Sequence, residues 1–208
     1  MSLETWIAFT VAAMIVLVIP GPTIILVISQ AVAHGRRAVL PLAAGVTLGD
    51  FTAMTFSLLG LGAVLATSAA LFSVLKWIGA GYLIYLGIKL WVSDTETSEI
   101  RSAATGTGND SLFKSAFVVT ALNPKSIAFF VAFLPQFVNP KGETMPQLLI
   151  LGSTFLFLAF LNSALYAFFA GQLREVIRNS RVGRWFNRCG GTALIGAGIF
   201  TATIQRSS

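Results

Sequence analysis

The stretch TWIAFTVAAMIVLVIPGPTIILVISQAVA, residues 5–33, decides the fold class of this chain. It is 29 residues long and contains no charged side chain. A helix needs about 20 largely apolar residues to cross the hydrocarbon core of a bilayer, whereas the apolar part of a signal peptide has about 7–15. The residue on its N-terminal flank is Glu4 rather than a basic group. The stretch is therefore predicted to be a retained transmembrane helix.

The composition of the whole chain agrees with a membrane protein. Of its 208 residues, 55% are hydrophobic and only 11% are charged, and the mean hydropathy is +0.80. A soluble domain has about 25% charged residues, because its surface faces water. The net charge of +6 does not indicate nucleic-acid binding, since the basic residues lie in short gaps between apolar runs and form no stripe with aromatic side chains. We therefore expect the lipid bilayer, and no nucleic acid, among the partners.

The chain lacks the residue sets on which membrane enzymes depend. Its one cysteine, Cys189, permits neither an intrachain disulfide nor a redox pair. The sequence contains no metal-ligand cluster, phosphate-binding loop, dinucleotide fingerprint or Ser-His-Asp set. We therefore expect neither catalytic activity nor a bound metal or cofactor.

Six stretches are long and apolar enough to form transmembrane helices, which predicts an all-α integral membrane protein. The second and third are divided near Thr67–Ala70, because 38–75 is too long for one span. The segment 93–111 is rich in Ser, Thr, Gly and acidic residues and is predicted to be a cytoplasmic linker. The predicted spans are near 5–32, 39–66, 71–92, 112–138, 146–172 and 185–205.

The basic residues are distributed unevenly between the two sides of these spans. Of 14 Lys and Arg residues, ten fall on one side, three on the other, and Lys125 lies inside a span. Because positive residues concentrate in cytoplasmic loops, we expect the connections 33–38, 93–112 and 173–185 in the cytoplasm and both termini outside it. The ten are Arg36, Arg37, Lys89, Arg101, Lys114, Arg174, Arg178, Arg181, Arg184 and Arg188.

Six helices divide into two sets of three with opposite orientations, the inverted-repeat arrangement common in secondary transporters. The predicted repeats are 1–92 and 112–208. The motifs GAGYLIYLG (79–87) and GGTALIGAG (190–198) support them, because without gaps they share the first glycine, the Leu-Ile pair and the last glycine. The alternative is that all membrane helices are similar in Leu, Ile and Gly.

Proline-containing breaks occur in the first predicted span of each half, as Pro20-Gly21-Pro22 and as Asn123-Pro124-Lys125. Proline removes a backbone donor and frees a carbonyl four residues earlier, and in a membrane that group needs a partner in protein or in a polar cavity. Interrupted helices at matched positions are a sequence indication of a transporter binding site. A packing kink without function is the alternative for each break taken alone.

Four polar or helix-breaking positions lie at similar depth. Pro22, Asp50, Lys125 and Asn162 are each 11 to 14 residues from a basic flank, or about 16–21 Å along a helix. We expect Asp50 and Lys125 either to lie near each other across the two halves or to face opposite ends of a zwitterionic substrate. Should either titrate, Asp50 is the better proton carrier. A purely structural ion pair is the alternative.

The sequence Gly45-Val46-Thr47-Leu48-Gly49 places two glycines four residues apart in the second span. Small residues at this spacing let helix backbones approach closely in lipid. We interpret the motif as a packing site, which could include a homodimer contact, rather than as part of the ligand site.

Taken together, four motifs resemble the LysE/RhtB family of amino-acid exporters: PGP at 20–22, GVTLGD at 45–50, GAGYLIYLG at 79–87 and NPK at 123–125. The resemblance extends over essentially the whole chain. It implies a multi-pass secondary carrier of the bacterial inner membrane that expels amino acids or close derivatives, driven by the proton gradient or the membrane potential. Since Asp50 is the one acidic residue inside a predicted span, we expect a neutral substrate.

Two other functions are open from the sequence. The chain could be a passive channel or uniporter, or it could export another small metabolite. The buried Asp50 and Lys125 favour a carrier that handles charge, and saturable, gradient-dependent flux would separate a carrier from a channel.

Overall fold

The computed structural model describes residues 1–67, 69–92, 108–139 and 141–172, and scattered positions from 184 to 199. The predictions for the basic connector at 173–183, and for the linker up to residue 107, lie outside the described residues. The positions described after residue 183 have helical backbone; they are residues 184, 185, 188, 189, 191, 192, 195, 196, 198 and 199.

All regular structure within the described ranges is helical, which confirms the predicted all-α class. Two pairs of short helices stand where single broken spans were predicted. The helices are α1 (Leu3–Val18), α2 (Pro22–His34), α3 (Val39–Thr67), α4 (Ala69–Val92), α5 (Asn109–Ala121), α6 (Pro124–Ala128) and α7 (Thr144–Phe168). A 3₁₀ turn, Gly35–Ala38, joins α2 to α3, and α6 continues into a π-helical turn, Phe129–Phe133, and a 3₁₀ turn, Leu134–Phe137.

Both helix breaks occur at the predicted prolines. Pro22 is the first residue of α2 and Pro124 the first of α6, where a missing N–H leaves no helical hydrogen bond unmade. The Asn123 side chain caps α6 by accepting from the Lys125 N–H at 3.0 Å. The segments on either side of the second break are bent by 43°.

The directions of the helices follow from contacts between them. Gly45 lies against Phe113 and Gly49 against Phe117, so α3 and α5 are parallel. The Trp6 indole, near the beginning of α1, donates to Thr154 Oγ1, in the first half of α7, at 3.1 Å. The Asn162 side chain reaches the carbonyl of Leu17 near the end of α1, so α1 and α7 are also parallel.

These two pairs of helices run in opposite directions. Met54, at the middle of α3, touches Gly152, in the first half of α7. Ala38, just before α3, and Ala167, near the end of α7, share a cluster. The first helix of each half, α1 and α5, therefore crosses the molecule in an opposite sense.

The two glycines of the GxxxG motif pack against another helix of the same chain. A Cβ at Gly45 would lie 2.5 Å from the Phe113 carbonyl oxygen, and one at Gly49 would lie 2.7 Å from Thr120 Cβ. The motif is thus a packing site, as predicted, and its partner is α5. The expectation that the motif includes a homodimer contact stays a prediction.

A second glycine contact joins α4 to the positions described after residue 183, and it is reciprocal. A Cβ on Gly87 would meet the Gly191 carbonyl oxygen and Ile195, and a Cβ on Gly198 would meet the Ala80 carbonyl oxygen and Ile84. The gapless alignment of 79–87 with 190–198 equates Gly87 with Gly198, Ala80 with Gly191 and Ile84 with Ile195. Replacing each residue by its equivalent in the other motif therefore converts the contact of Gly87 into the contact of Gly198.

Two apolar clusters fill the interior on either side of the helix breaks. The aromatic cluster consists of Phe9, Ala13, Val16, Ala53, Met54, Phe129, Phe130, Phe133, Leu134, Leu151, Phe155 and Ala159. The aliphatic cluster consists of Ile24, Leu26, Val27, Ile28, Ala31, Ala38, Leu42, Val46, Leu112, Ala116, Ala167 and Ala170.

By length and composition, the described residues contain two helical stretches able to cross a membrane, Pro22–Gly60 and Thr144–Phe168. The bent pair Asn109–Ala121 and Pro124–Phe137 adds a third if it counts as one span. Large apolar side chains such as Leu40, Phe56 and Phe157 are exposed, as a lipid-facing surface requires. The count of six spans stays a prediction.

Replacing Gly49 by alanine is expected to weaken the packing of α3 on α5. The new methyl group would lie 2.8 Å from the Phe117 carbonyl oxygen, and overpacking of this kind costs about 1–3 kcal/mol. The apparent melting temperature of the purified protein in detergent should fall. Gly60→Ala is the matched control, since a Cβ there meets nothing within 4 Å among the described residues. Equal melting temperatures for the two variants would contradict this account.

Candidate functional site

The C-terminal end of α1 is capped by an ammonium group from the other half of the chain. The last carbonyls of a helix have no donor within the helix, and the break at Pro20–Pro22 leaves those of α1 in the interior. Lys125 Nζ donates to Val16 O at 2.9 Å and to Ile19 O at 3.0 Å. A positive charge at this end also opposes the helix dipole, which is negative there.

Two side chains of α7 satisfy the carbonyls between these two. Asn162 Nδ2 donates to Leu17 O at 3.1 Å, and the Tyr166 hydroxyl donates to Val18 O at 2.7 Å. Four consecutive carbonyls, from Val16 to Ile19, are therefore bonded by side chains of α6 and α7.

The two breaks are also joined by a smaller cluster of neutral polar groups. Thr23 Oγ1, next to Pro22 at the start of α2, accepts from Asn123 Nδ2 at 3.0 Å and from Thr120 Oγ1 at 3.3 Å. All three residues are buried. A side chain from each break thus bonds to the other break: Thr23 contacts the second break and Lys125 contacts the first.

Asp50 lies beside this network on α3. Its side chain is 2% exposed, lies near the Ser126 hydroxyl and is electrostatically attracted to Lys125. Its Oδ1 atom has no hydrogen-bond partner among the described residues. The structure therefore brings Asp50 and Lys125 together, and it binds the lysine ammonium to main-chain oxygens as well.

These polar groups form a layer between the two apolar clusters. Along α1 and α2 the aromatic cluster precedes the break and the aliphatic cluster follows it, whereas along α5 and α6 the order is reversed. The layer, which we call the polar layer, consists of Thr23, Asp50, Thr120, Asn123, Lys125, Ser126, Asn162 and Ser163, with the main-chain oxygens of Val16–Ile19.

The residues of the two breaks differ in their positions relative to this layer. Pro22 and Pro124 are exposed and each begins a helix, so their role in the structure is to shape the backbone. Pro20 is half-buried. A Cβ at Gly21 would lie 3.4 Å from Lys125 Nζ, so the glycine lies directly against the ammonium group. Of the predicted site residues, Gly21, Asp50, Asn123, Lys125 and Asn162 therefore meet at one place.

The sequence matches a family model described as LysE type translocator over residues 14–205. The chain belongs to this family. The match confirms the resemblance noted from the sequence motifs, and it covers both helix breaks and the polar layer. Membership makes the protein a membrane translocator rather than an enzyme.

Relatives of this translocator are similar over nearly their whole length. A homoserine/homoserine lactone efflux protein from Salmonella typhimurium is 30% identical over 207 residues, which cover 100% of each chain. A leucine efflux protein from Salmonella typhimurium is 31% identical over 195 residues, 88% of this chain and 91% of the relative. An uncharacterized membrane protein from Vibrio cholerae is 32% identical over 211 residues, 99% of this chain and 100% of the relative. No solved structure matches the translocator.

Five residues of the polar layer and its surroundings were missed from the sequence: Thr23, Thr120, Ser126, Ser163 and Tyr166. Ser163 directly follows the predicted Asn162. Thr23 and Ser126 directly follow residues of the two breaks, so their neighbourhood was a usable signal. Tyr166 lies one helical turn after Asn162, and residues four apart share a helix face. Thr120 had no local signal, because it is one of many small hydroxyl residues in apolar helices.

Removing the Tyr166 hydroxyl should destabilise the end of α1. In Tyr166→Phe the Val18 carbonyl loses its donor at 2.7 Å, and an unpaired buried carbonyl costs about 1–3 kcal/mol. A lower apparent melting temperature of the translocator in detergent is the expected result. Tyr85→Phe, at a tyrosine that is 57% exposed, is the matched control. If both variants melt like the parent protein, the hydroxyl does not contribute to the cap.

Proposed function

We propose that this translocator is a secondary carrier that exports neutral amino acids or close derivatives from the bacterial cytoplasm across the inner membrane. The observation that carries the proposal is the polar layer, in which Asp50, Lys125 and the carbonyls of a broken helix meet between two apolar clusters. Half-helix ends that meet in this way are the usual binding site of secondary transporters.

The substrate class is argued from the groups in the layer and from the relatives. A zwitterion needs a negative partner for its ammonium and donors for its carboxylate. Asp50 and the α1 carbonyls supply the first, and the hydroxyl and amide groups of the layer supply the second. The names of two relatives refer to efflux of homoserine, homoserine lactone and leucine, which have uncharged side chains. Export of another small metabolite is the alternative.

A carrier fits the arrangement better than a passive channel or uniporter. The polar layer has the aromatic cluster on one side and the aliphatic cluster on the other. Phe129 makes tilted ring contacts with both Phe9 and Phe155 in the aromatic cluster. Moving a zwitterion past either cluster requires that helices separate. A carrier opens first one of the two sides and then the other. Saturable flux, rather than flux proportional to concentration, is what the proposal requires.

The architecture proposed for this carrier is two inverted three-helix repeats, 1–92 and 112–208, joined by a cytoplasmic linker at 93–111. The opposite directions of α1 and α5 support it, and so does the reciprocal contact of Gly87 with Gly191 and of Gly198 with Ala80. The excess of basic residues at the connections favours both termini outside the cytoplasm. The chain could act alone or as a homodimer.

We propose that the export is coupled to the proton gradient or the membrane potential and that Asp50 carries the proton. It is a carboxyl group inside the layer, close to the lysine that it attracts. An intramembrane carboxyl group of this kind is typical of proton relays in transporters.

Asp50→Asn is expected to abolish coupled export, because the amide keeps the size of the side chain but cannot carry a proton. The measurement is efflux from cells preloaded with a panel of labelled amino acids, with and without a protonophore. Export by the parent protein should be selective and saturable and should collapse with the protonophore. Asp110→Asn, which changes an exposed acidic residue in the first turn of α5, is the matched control.

Two results would contradict the proposal. Full activity of Asp50→Asn would reject the proton-carrier role and leave the exporter function standing. Absence of flux for every amino acid, in a parent protein shown to be inserted and folded, would reject the amino-acid substrate class.

A further inference from the structure

The ammonium group of Lys125 is held by main-chain oxygens in the way that a free cation would be held. It donates to Val16 O and Ile19 O at 2.9 and 3.0 Å. Both oxygens lie at the C-terminal end of α1, which carries the negative end of the helix dipole. Half-helix C-terminal ends coordinate cations in secondary transporters. The two oxygens thus form a cation site, to which the chain supplies a cation of its own.

Asp50 completes the site with a carboxyl group. It is buried, it is attracted to Lys125, and its Oδ1 atom accepts no hydrogen bond from the described residues. A carboxylate oxygen can accept two hydrogen bonds. The carboxyl group therefore has acceptor capacity left for a further N–H donor.

The local helix does not explain where the ammonium lies. Lys125 is in the first turn of α6, at the end of a helix where a positive charge is unfavourable. The oxygens that bind the group are at the end of α1, and the carboxyl group that attracts it is on α3, both in the other half of the chain. The ammonium is thus positioned by the cation site and not by the helix that carries it.

An amino-acid substrate carries the same chemical group, since an α-ammonium has three N–H donors as a lysine Nζ has. We propose that Val16 O, Ile19 O and Asp50 form an ammonium site that Lys125 fills when no substrate is bound, and that the α-ammonium of the substrate takes over this site during transport. The inference rests on the function proposed above, because it needs a substrate with a primary amine.

This exchange keeps the carbonyls of Val16 and Ile19 bonded to a donor in both states of the carrier. When substrate is bound its ammonium donates to them, and after release Lys125 does so. A buried carbonyl without a donor is unfavourable, so a carrier without Lys125 should change conformation readily with substrate and poorly without it. Net export requires the substrate-free step, whereas exchange of internal for external substrate does not.

The test uses proteoliposomes containing the parent protein, Lys125→Ala or Lys125→Met, with the amino acid that the parent exports. In both variants we expect exchange to persist within a few fold, while net efflux into substrate-free buffer falls about a hundredfold or more. A lysine that merely holds the fold together would affect both fluxes alike. Loss of exchange together with net efflux, in both variants, would overturn the inference.

Ethylammonium added on both sides of the membrane is the chemical probe. It should restore net efflux in Lys125→Ala, where truncation leaves room for it, and not in Lys125→Met, where the side chain fills that room. Sodium and potassium ions are tested in parallel, because carbonyl oxygens also bind alkali cations. Rescue by an alkali cation and not by ethylammonium would overturn the assignment to an ammonium.

A binding measurement separates this inference from the proposed function. Ethylammonium should raise the melting temperature of Lys125→Ala in detergent and leave that of the parent protein unchanged. Absence of any amino-acid flux in the parent protein would reject the proposed function, and the melting test would still decide whether the ammonium site exists. No effect of ethylammonium on Lys125→Ala would overturn the site.

Discussion

The unsatisfied carbonyls at the end of α1 are the constraint on which the rest of this structure depends. Inside a membrane a main-chain oxygen without a donor costs several kcal/mol, and water is not there to replace the donor. The break at Pro20–Pro22 exposes four such oxygens, and Lys125, Asn162 and Tyr166 bond all of them. Every one of these side chains belongs to the second half of the chain. The first half can therefore keep its broken helix only when the second half is docked against it.

The same requirement places polar groups in the interior, where the proposed carrier would bind its substrate. Side chains that satisfy a broken helix have to be donors and have to lie in the interior, so they concentrate hydrogen-bonding groups and charge at the depth of the break. The exposed prolines Pro22 and Pro124 fix the backbone without occupying that space. The aromatic and aliphatic clusters then close the layer from both sides. If the layer binds substrate as we propose, stability and substrate binding depend on one set of groups.

Much of this arrangement is encoded locally and could be predicted. Proline chemistry located both breaks to the residue, hydropathy located the ends of α3 and α7 to within a few residues, and counting along the helices placed Asp50, Lys125 and Asn162 at a common depth. The partners of each group could not be predicted in the same way. Three features depend on how helices distant in sequence are rotated against each other. They are the bonds of the lysine to Val16 and Ile19, the bond of Tyr166 to the same helix end, and the π-helical turn after α6. A local sequence pattern does not specify that rotation.

The glycine contact between α4 and the positions after residue 183 has a consequence for the origin of the chain. Gly87 meets Gly191 and Ile195, and Gly198 meets Ala80 and Ile84. The two motifs therefore contact each other through equivalent residues. Contacts of this kind are isologous, the type that two identical subunits form across a two-fold axis. Two separate half-length chains with one such motif each would therefore be able to form the same contact, as expected if the proposed repeats arose by duplication of one half.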